Sequence, residues 1–228
     1  MAATTFAKQI IQFYSPLHIS AKLPKAISVL HPQAELQTQN VIKTFFTKYY
    51  SDKKPRALLF GINPGRFGAG VTGINFTAPK QLLNNCGIAH PFGTQSELSA
   101  EFIYEVIEAY GGAAAFYSQY FLSSVCPLGF TKENKNLNYY DDEVLQKKVT
   151  PFITDCLQTQ TAWNVYRKKC ICIGGEKNYN YLTALNNKHQ WFDEIIPLPH
   201  PRFIMQYKRK DKLLYIDKYL NALQNIFL

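Results

Sequence analysis

Two spacings of apolar residues alternate along this chain. Short continuous runs occur at Arg56-Ala57-Leu58-Leu59-Phe60-Gly61, at Tyr120-Phe121-Leu122-Ser123-Ser124-Val125, at Lys169–Ile173 and at Glu194–Leu198. Each ends near a Gly or Pro, and runs of this length read as strands covered on both faces. Between them the spacing turns helical. Val41, Ile42, Phe45 and Phe46 fall on adjacent turns of Gln37–Tyr50, and the first 55 residues read as helical. Thr94 and Glu97 have the spacing of a capping box. Leu98, Phe102, Ile103, Val106 and Ile107 follow at helical intervals up to Gly111-Gly112. Further helices are predicted over Asp141–Leu157, kinked or broken at Pro151, and over Lys177–Leu185. A last one sets Leu213, Ile216, Leu220 and Leu223 along one stripe.

Strands alternating with helices predict an α/β fold: a three-layer α/β/α sandwich around a central, mostly parallel four-stranded sheet. No repeat, low-complexity tract or linker divides the chain. One domain over 1–228 is expected, helical over 1–55 and α/β over 56–228. In such folds ligands bind beyond the carboxyl ends of the strands. Here those ends are the loops beginning at Gly61, Cys126, Gly174 and Pro199.

Composition narrows the class. With 46% hydrophobic and 14% aromatic residues in 228, the chain can bury a full core, and it lacks the charge-rich, aromatic-poor character of a disordered segment. No apolar run approaches the ~18–20 residues of a membrane span. Met1–Ser15 shows no export signal, so a cytoplasmic protein is expected, in bacterial cytoplasm or on the nucleoid. The five cysteines have no metal-binding spacing and read as buried reduced thiols. No metal or other cofactor is expected.

Lys and Arg outnumber Asp and Glu by 25 to 16, a net charge of +9. A uniform surplus only aids solubility, but this one is partly focused. Arg202, Lys208, Arg209, Lys210 and Lys212 fall within eleven residues, against Asp211 alone, with Phe203 and Tyr207 set among them. Cations interleaved with aromatics point to nucleic acid. Arg167, Lys168 and Lys169 form a second short cluster.

The loop after the first strand reads Gly61-Ile62-Asn63-Pro64-Gly65-Arg66-Phe67-Gly68-Ala69-Gly70-Val71-Thr72-Gly73-Ile74-Asn75-Phe76, five glycines in sixteen residues. No Gly-Lys-Ser/Thr follows and no GxGxxG opens a helix, so it is not a nucleotide-binding loop of either common kind. Gly-Ile-Asn-Pro-Gly, Phe-Gly and Thr-Gly-x-x-Phe together resemble, without a gap, the first motif of the single-strand-selective monofunctional uracil-DNA glycosylases. Cys126-Pro127-Leu128, Cys172-Ile173-Gly174-Gly175 and His200-Pro201-Arg202 are similar to that family's later motifs in the same order.

The resemblance implies a uracil-DNA glycosylase-like fold and an enzyme that hydrolyses the N-glycosidic bond of uracil, and of C5-oxidised uracils, in DNA. It would flip the base out of the stack and leave an abasic site. Asn63 would position the attacking water, and His200 would donate to the uracil O2 as negative charge develops. Phe76 would stack on the extruded base, Gly65 would face its C5 edge by its backbone, and Ser124 would take the base-reading position. Arg202, Phe203, Gln206, Lys208, Arg209 and Lys210 would bind DNA, with Phe203, Ile204 or Met205 as a wedge into the stack. Taken without the motif, Asn63 is a turn residue, Phe76 a core residue and His200 a structural histidine.

Two departures mark a divergent, bacterial branch. Ser124 stands where the family has Asn, so the base is read more loosely or Asn134, Asn136 or Asn138 compensates. In the last motif, anchoring on Pro-Arg would place Leu198 at the histidine position, whereas anchoring on His-Pro shortens the loop. His200 is preferred because leucine cannot stabilise an anion. No paired carboxylates converge near a strand end. The partner expected is uracil-containing DNA, single- or double-stranded, bound by a monomer. Two other readings stay open: a non-catalytic binder of single-stranded or damaged DNA, and an enzyme acting on free nucleosides.

Overall fold

The computed structural model describes residues 4–228. Met1–Ala3, part of the expected domain, lie outside the described residues. Seven strands form two sheets: β1 Ile27–Leu30, β2 Ala57–Gly61, β3 Tyr120–Ser124, β4 Gly129–Lys132, β5 Lys135–Leu137, β6 Lys169–Ile173 and β7 Glu194–Leu198.

The larger sheet has the order β3-β2-β6-β7 and is parallel throughout. Its register sets Gly61 beside Ser124 and Ile173 beside Leu198, so the carboxyl ends of all four strands fall on one edge. Every residue of β2 and β3 is buried, because helices flank the sheet. Cys170 and Cys172 share one face of β6 while Ile171 and Ile173 fill the other, and all four are buried. Buried side chains form one continuous cluster from Phe6 to Ile226.

The N-terminal part is not wholly helical. Helices Phe6–Tyr14 and Leu36–Tyr50 pack on β3, with Phe121 meeting Phe6 and Tyr50 at ring-centroid distances of 5.7 and 5.8 Å. Between them runs β1, which pairs antiparallel with β4, and β4 pairs with β5 in a second, three-stranded sheet. Glu133 and Asn134 turn that hairpin with φ of 52° and 59°, the left-handed pair that two-residue hairpin loops require.

Two helix ends also differ from the sequence pattern. Helix Glu143–Thr161 continues through Pro151. Pro151 and Lys147 both lie on its exposed side, so the Lys147 carbonyl that loses its helical donor is open to solvent. Helix Leu98–Tyr110 begins at Leu98 with Glu97 as its N-cap, and the Glu97 side chain makes no cap hydrogen bond. The Thr94–Glu97 capping box therefore does not form, and Glu97 points elsewhere.

Candidate active site

A cavity of about 90 Å3 opens at the carboxyl edge of the parallel sheet. Gly61, Asn63, Gly65 and Phe76 reach it from the loop after β2, Ser124 from the end of β3, and His200 and Arg202 from beyond β7. Asn136 and Asn138 enter from the β5 side, and Glu97 and Ser99 from the start of helix Leu98–Tyr110. Its size suits one small ring.

The glycine-rich loop is braced by its own polar atoms. Thr72 Oγ1 donates to the Thr77 carbonyl at 2.6 Å and accepts from the Ile74 amide at 3.2 Å, closing the turn that delivers Phe76. Phe76 itself adopts φ +54°, a left-handed conformation that a bulky side chain rarely takes. Its ring belongs to the core and also faces the cavity, 6.4 Å from the His200 ring.

Asn63 is a clamp. Its Nδ2 donates to the Leu137 carbonyl at 3.3 Å, more weakly to Pro64 O at 3.4 Å, and its Oδ1 accepts from the Tyr139 amide at 3.1 Å. This ties the β2 loop to the segment after β5. Tyr139 continues the link through its hydroxyl, which donates to Asn178 Oδ1 at 2.7 Å. The buried Asn178 donates in turn to the Gly61 carbonyl at 3.3 Å. One lone pair of Asn63 Oδ1 remains for a ligand or water.

His200 caps helix Pro201–Tyr207. Its Nδ1 accepts from the Arg202 amide at 3.1 Å, and Pro201, lacking an N–H, suits the first helical position. Burial, reinforced by the Arg202 charge, lowers the His200 pKa to about 4, so the ring is neutral at pH 7. With Nδ1 accepting, the ring proton belongs on Nε2, which makes that nitrogen a donor. Leu198, the alternative in the other register, is buried in β7 beside Ile173 and does not line the cavity.

Ser124 lines the cavity, but its hydroxyl donates to the Cys126 carbonyl at 2.9 Å and turns back on its own loop. Of the three asparagines weighed as compensation, Asn136 and Asn138 line the cavity and Asn134 does not. Asn136 Oδ1 accepts from the Arg66 amide at 3.1 Å. The sequence offered these asparagines by type and position, whereas the hairpin that delivers them carried no strand signal, its strands being short and its turn polar.

Glu97 is a cavity residue that sequence reasoning missed, since its type and position fitted a helix cap. Its carboxylate enters the cavity where Gly68 leaves space: a β-carbon on Gly68 would collide with Oε1. Burial raises the Glu97 pKa to about 7, with the Arg202 charge opposing the shift.

The expected DNA-binding residues and the second basic cluster lie apart. Arg202, Phe203, Gln206, Lys208, Arg209 and Lys210 are all exposed beside the cavity mouth or along the chain leading from it, and Phe203 packs its ring on Tyr207 at 5.6 Å. Ile204 and Met205 are buried, so neither can serve as a wedge, whereas Phe203 is 44% exposed. Lys212 pairs with Glu105 at 2.6 Å. The second cluster lies at the opposite, amino end of β6. There Arg167 holds the carbonyls of Gln190 and Trp191, Lys168 holds that of Leu228, and Lys169 pairs with Glu194 at 3.7 Å.

The five cysteines are buried and unpaired, with Cys126 and Cys172 pushed up to about 12 by burial. Among the described residues no group of three His, Cys, Asp or Glu is placed to hold a metal ion. None of the described helices is long and apolar enough to cross a membrane.

A family profile described as the uracil DNA glycosylase superfamily matches residues 47–224. The crystal structure of wild-type SMUG2 from Pedobacter heparinus superposes with a TM-score of 0.94 at 43% identity, covering 98% of this chain and 99% of that one. No curated protein matches significantly.

Proposed function

The chain belongs to the uracil DNA glycosylase superfamily, and on that premise we propose that it hydrolyses the N-glycosidic bond of uracil in DNA, leaving an abasic site. The observation that carries this reading is the meeting of Asn63, Phe76 and His200 around one ring-sized cavity, with His200 held as a neutral donor.

The chemistry asks three things of the chain. The base must leave the stack, and a cavity this enclosed admits only an extruded nucleotide. Phe76 supplies the stacking face. The departing base carries the bonding pair as an anion, which Nε2–H of His200 stabilises without giving up its proton, since a donor fixed beforehand costs no reorganisation when charge develops. Asn63, rigid through Leu137 and Tyr139, orients the water. Ser124, Asn136 and Asn138 surround the base edge, and Gly65 keeps its C5 side open, which suits C5-oxidised uracils as well.

Arg202, Gln206, Lys208, Arg209 and Lys210 would follow the phosphates outside the cavity while Phe203 fills the stack left by the flipped base. Among the described residues no lysine lines the cavity to form a Schiff base, which supports a monofunctional enzyme, and we take it to act as a monomer.

Incubation with a uracil-containing oligonucleotide, followed by alkali, tests the reading. Cleavage only after alkali, reduced by orders of magnitude in Asn63→Ala and His200→Ala, is the expected result. Cleavage unchanged in both variants sinks the residue roles. Tight binding with no base released marks a binder, and activity on free deoxyuridine marks a nucleoside enzyme.

A further inference from the structure

Hydrolysis forms a bond from water oxygen to the sugar C1′ and breaks the bond from C1′ to the base, whose ring keeps the electron pair. The water must lose a proton, and something has to accept it. Asn63 is an amide already engaged on Tyr139 N–H and is not a base. His200 offers the cavity an N–H, its other nitrogen being committed to Arg202. Ser99 and Ser124 are hydroxyls, and Arg202 is permanently charged. Among the residues lining the cavity, Glu97 alone bears a carboxylate.

Its placement is specific. A β-carbon at Gly65 would stand 3.5 Å from Glu97 Oε2 and 3.3 Å from Asn136 Nδ2, so the carboxylate and that amide flank the segment two residues after Asn63. The Glu97 side chain makes no hydrogen bond to its own helix, and Arg202 is not within ion-pair distance. A carboxylate drawn into an enclosed site and left without a protein partner is free for a ligand.

We propose that Glu97 is a catalytic residue of this site, the general base that takes the proton of the attacking water. This rests on the glycosylase reading above. In the step, water oxygen bonds to C1′, the base departs as an anion held by His200 Nε2–H, and the water proton passes to Glu97, which becomes a neutral acid. One negative charge enters on Glu97 and leaves on the base. Across the cavity Glu97 meets the Arg202 charge and the His200 ring, while Arg66 follows Gly65 in the adjoining loop and Glu101 lies one turn along the same helix. Burial holds the Glu97 pKa up at about 7 and the His200 pKa down at about 4, so the two titrate well apart and an inflection near pH 7 is the one expected of Glu97.

Single-turnover release of uracil from an oligonucleotide, measured from about pH 5 to about pH 9, tests this role. The wild-type rate is expected to fall about tenfold per pH unit below the inflection. Glu97→Gln is expected to lose about 10²-fold or more and to show no inflection, while its melting temperature and oligonucleotide binding stay at wild-type values. Should Glu97→Gln not fold, Glu97→Asp carries the test: a slower rate with a displaced inflection supports the role, and a wild-type profile overturns it. A wild-type chain that releases no base overturns the glycosylase reading and this role with it. Release by the wild type, with rate and inflection kept in Glu97→Gln, overturns the role of Glu97 alone.

Discussion

The ring of Phe76 lies against the backbone of Gly61, so closely that a β-carbon at position 61 would stand 2.8 Å from two of its ring atoms. Gly61 is the last residue of β2 and cannot retreat, being paired with Ser124 in the sheet. The ring would have to move, and with it the surface that meets the base. Gly61→Ala is therefore expected to lower uracil release by at least ~10-fold, the effect of a misplaced positioning group, while phosphate-dependent binding persists. Phe76→Leu, which removes the stacking face and leaves Gly61 untouched, provides the comparison in the same assay.

His200 titrates on the acid side. Its folded pKa, about 4, lies below the ordinary 6.5, so the unfolded chain binds the proton first as pH falls. Stability linked to His200 is complete above about pH 6.5 and declines towards pH 4. Urea denaturation across this range should show that His200→Asn loses this falling contribution and keeps the opposite slope of Glu97, whose raised pKa favours the folded chain as pH falls below about 7. Charging the ring does not limit activity above about pH 5, and His200→Ala should lose about 10²–10³-fold in turnover.

The exposed and the tethered cations should separate in a salt titration. Replacing Arg202, Lys208, Arg209 or Lys210 by alanine is expected to make the slope of log affinity against log salt shallower by about 1 for each phosphate that is no longer neutralised. Replacing Lys168 or Lys169, whose ammonium groups hold Leu228 and Glu194, should leave the slope unchanged. Oligonucleotide binding at several salt concentrations measures both.

Arg56 is buried completely and holds Asp52 with two hydrogen bonds, at 3.0 and 2.9 Å, and the Tyr117 carbonyl at 2.8 Å. Phe6 and Tyr50 lie 5.5 and 5.3 Å from its guanidinium carbon. Asp52→Ala removes the counter-charge and should cost about 1.5–3 kcal/mol, less than for a fully buried pair because solvent reaches Asp52. Burial alone would raise the Asp52 pKa, but hydrogen bonds from Arg56 and the Lys54 amide outweigh it and lower the pKa. The stability it contributes is present above the ordinary carboxylate range and lost as pH falls through the lower, folded value. Acid denaturation of wild type and Asp52→Asn measures that difference.

By itself the sequence determined the four parallel strands, their order of appearance and the loops that end them. A strand covered on both faces needs only a short apolar run with a Gly or Pro stop, and both signals are local. The β4–β5 hairpin carried neither signal: Lys132 to Asn136 is wholly polar, and the strand that β4 pairs with, β1, lies about a hundred residues earlier in the chain. Glu97 was legible as a helix start, and its residue type fitted a cap. Only the folded chain shows the gap over Gly68 that its carboxylate fills instead.

The surplus of positive charge was divided in the same way. Sequence grouped Lys212 with its neighbours and set Arg56 at the head of an apolar run, while the fold pairs the first with Glu105 and buries the second over Asp52. Spacing along a chain encodes the face that a side chain takes. Which remote backbone, charge or empty space it then meets is decided by packing between elements, because those partners are brought together by the tertiary fold and have no fixed separation in sequence.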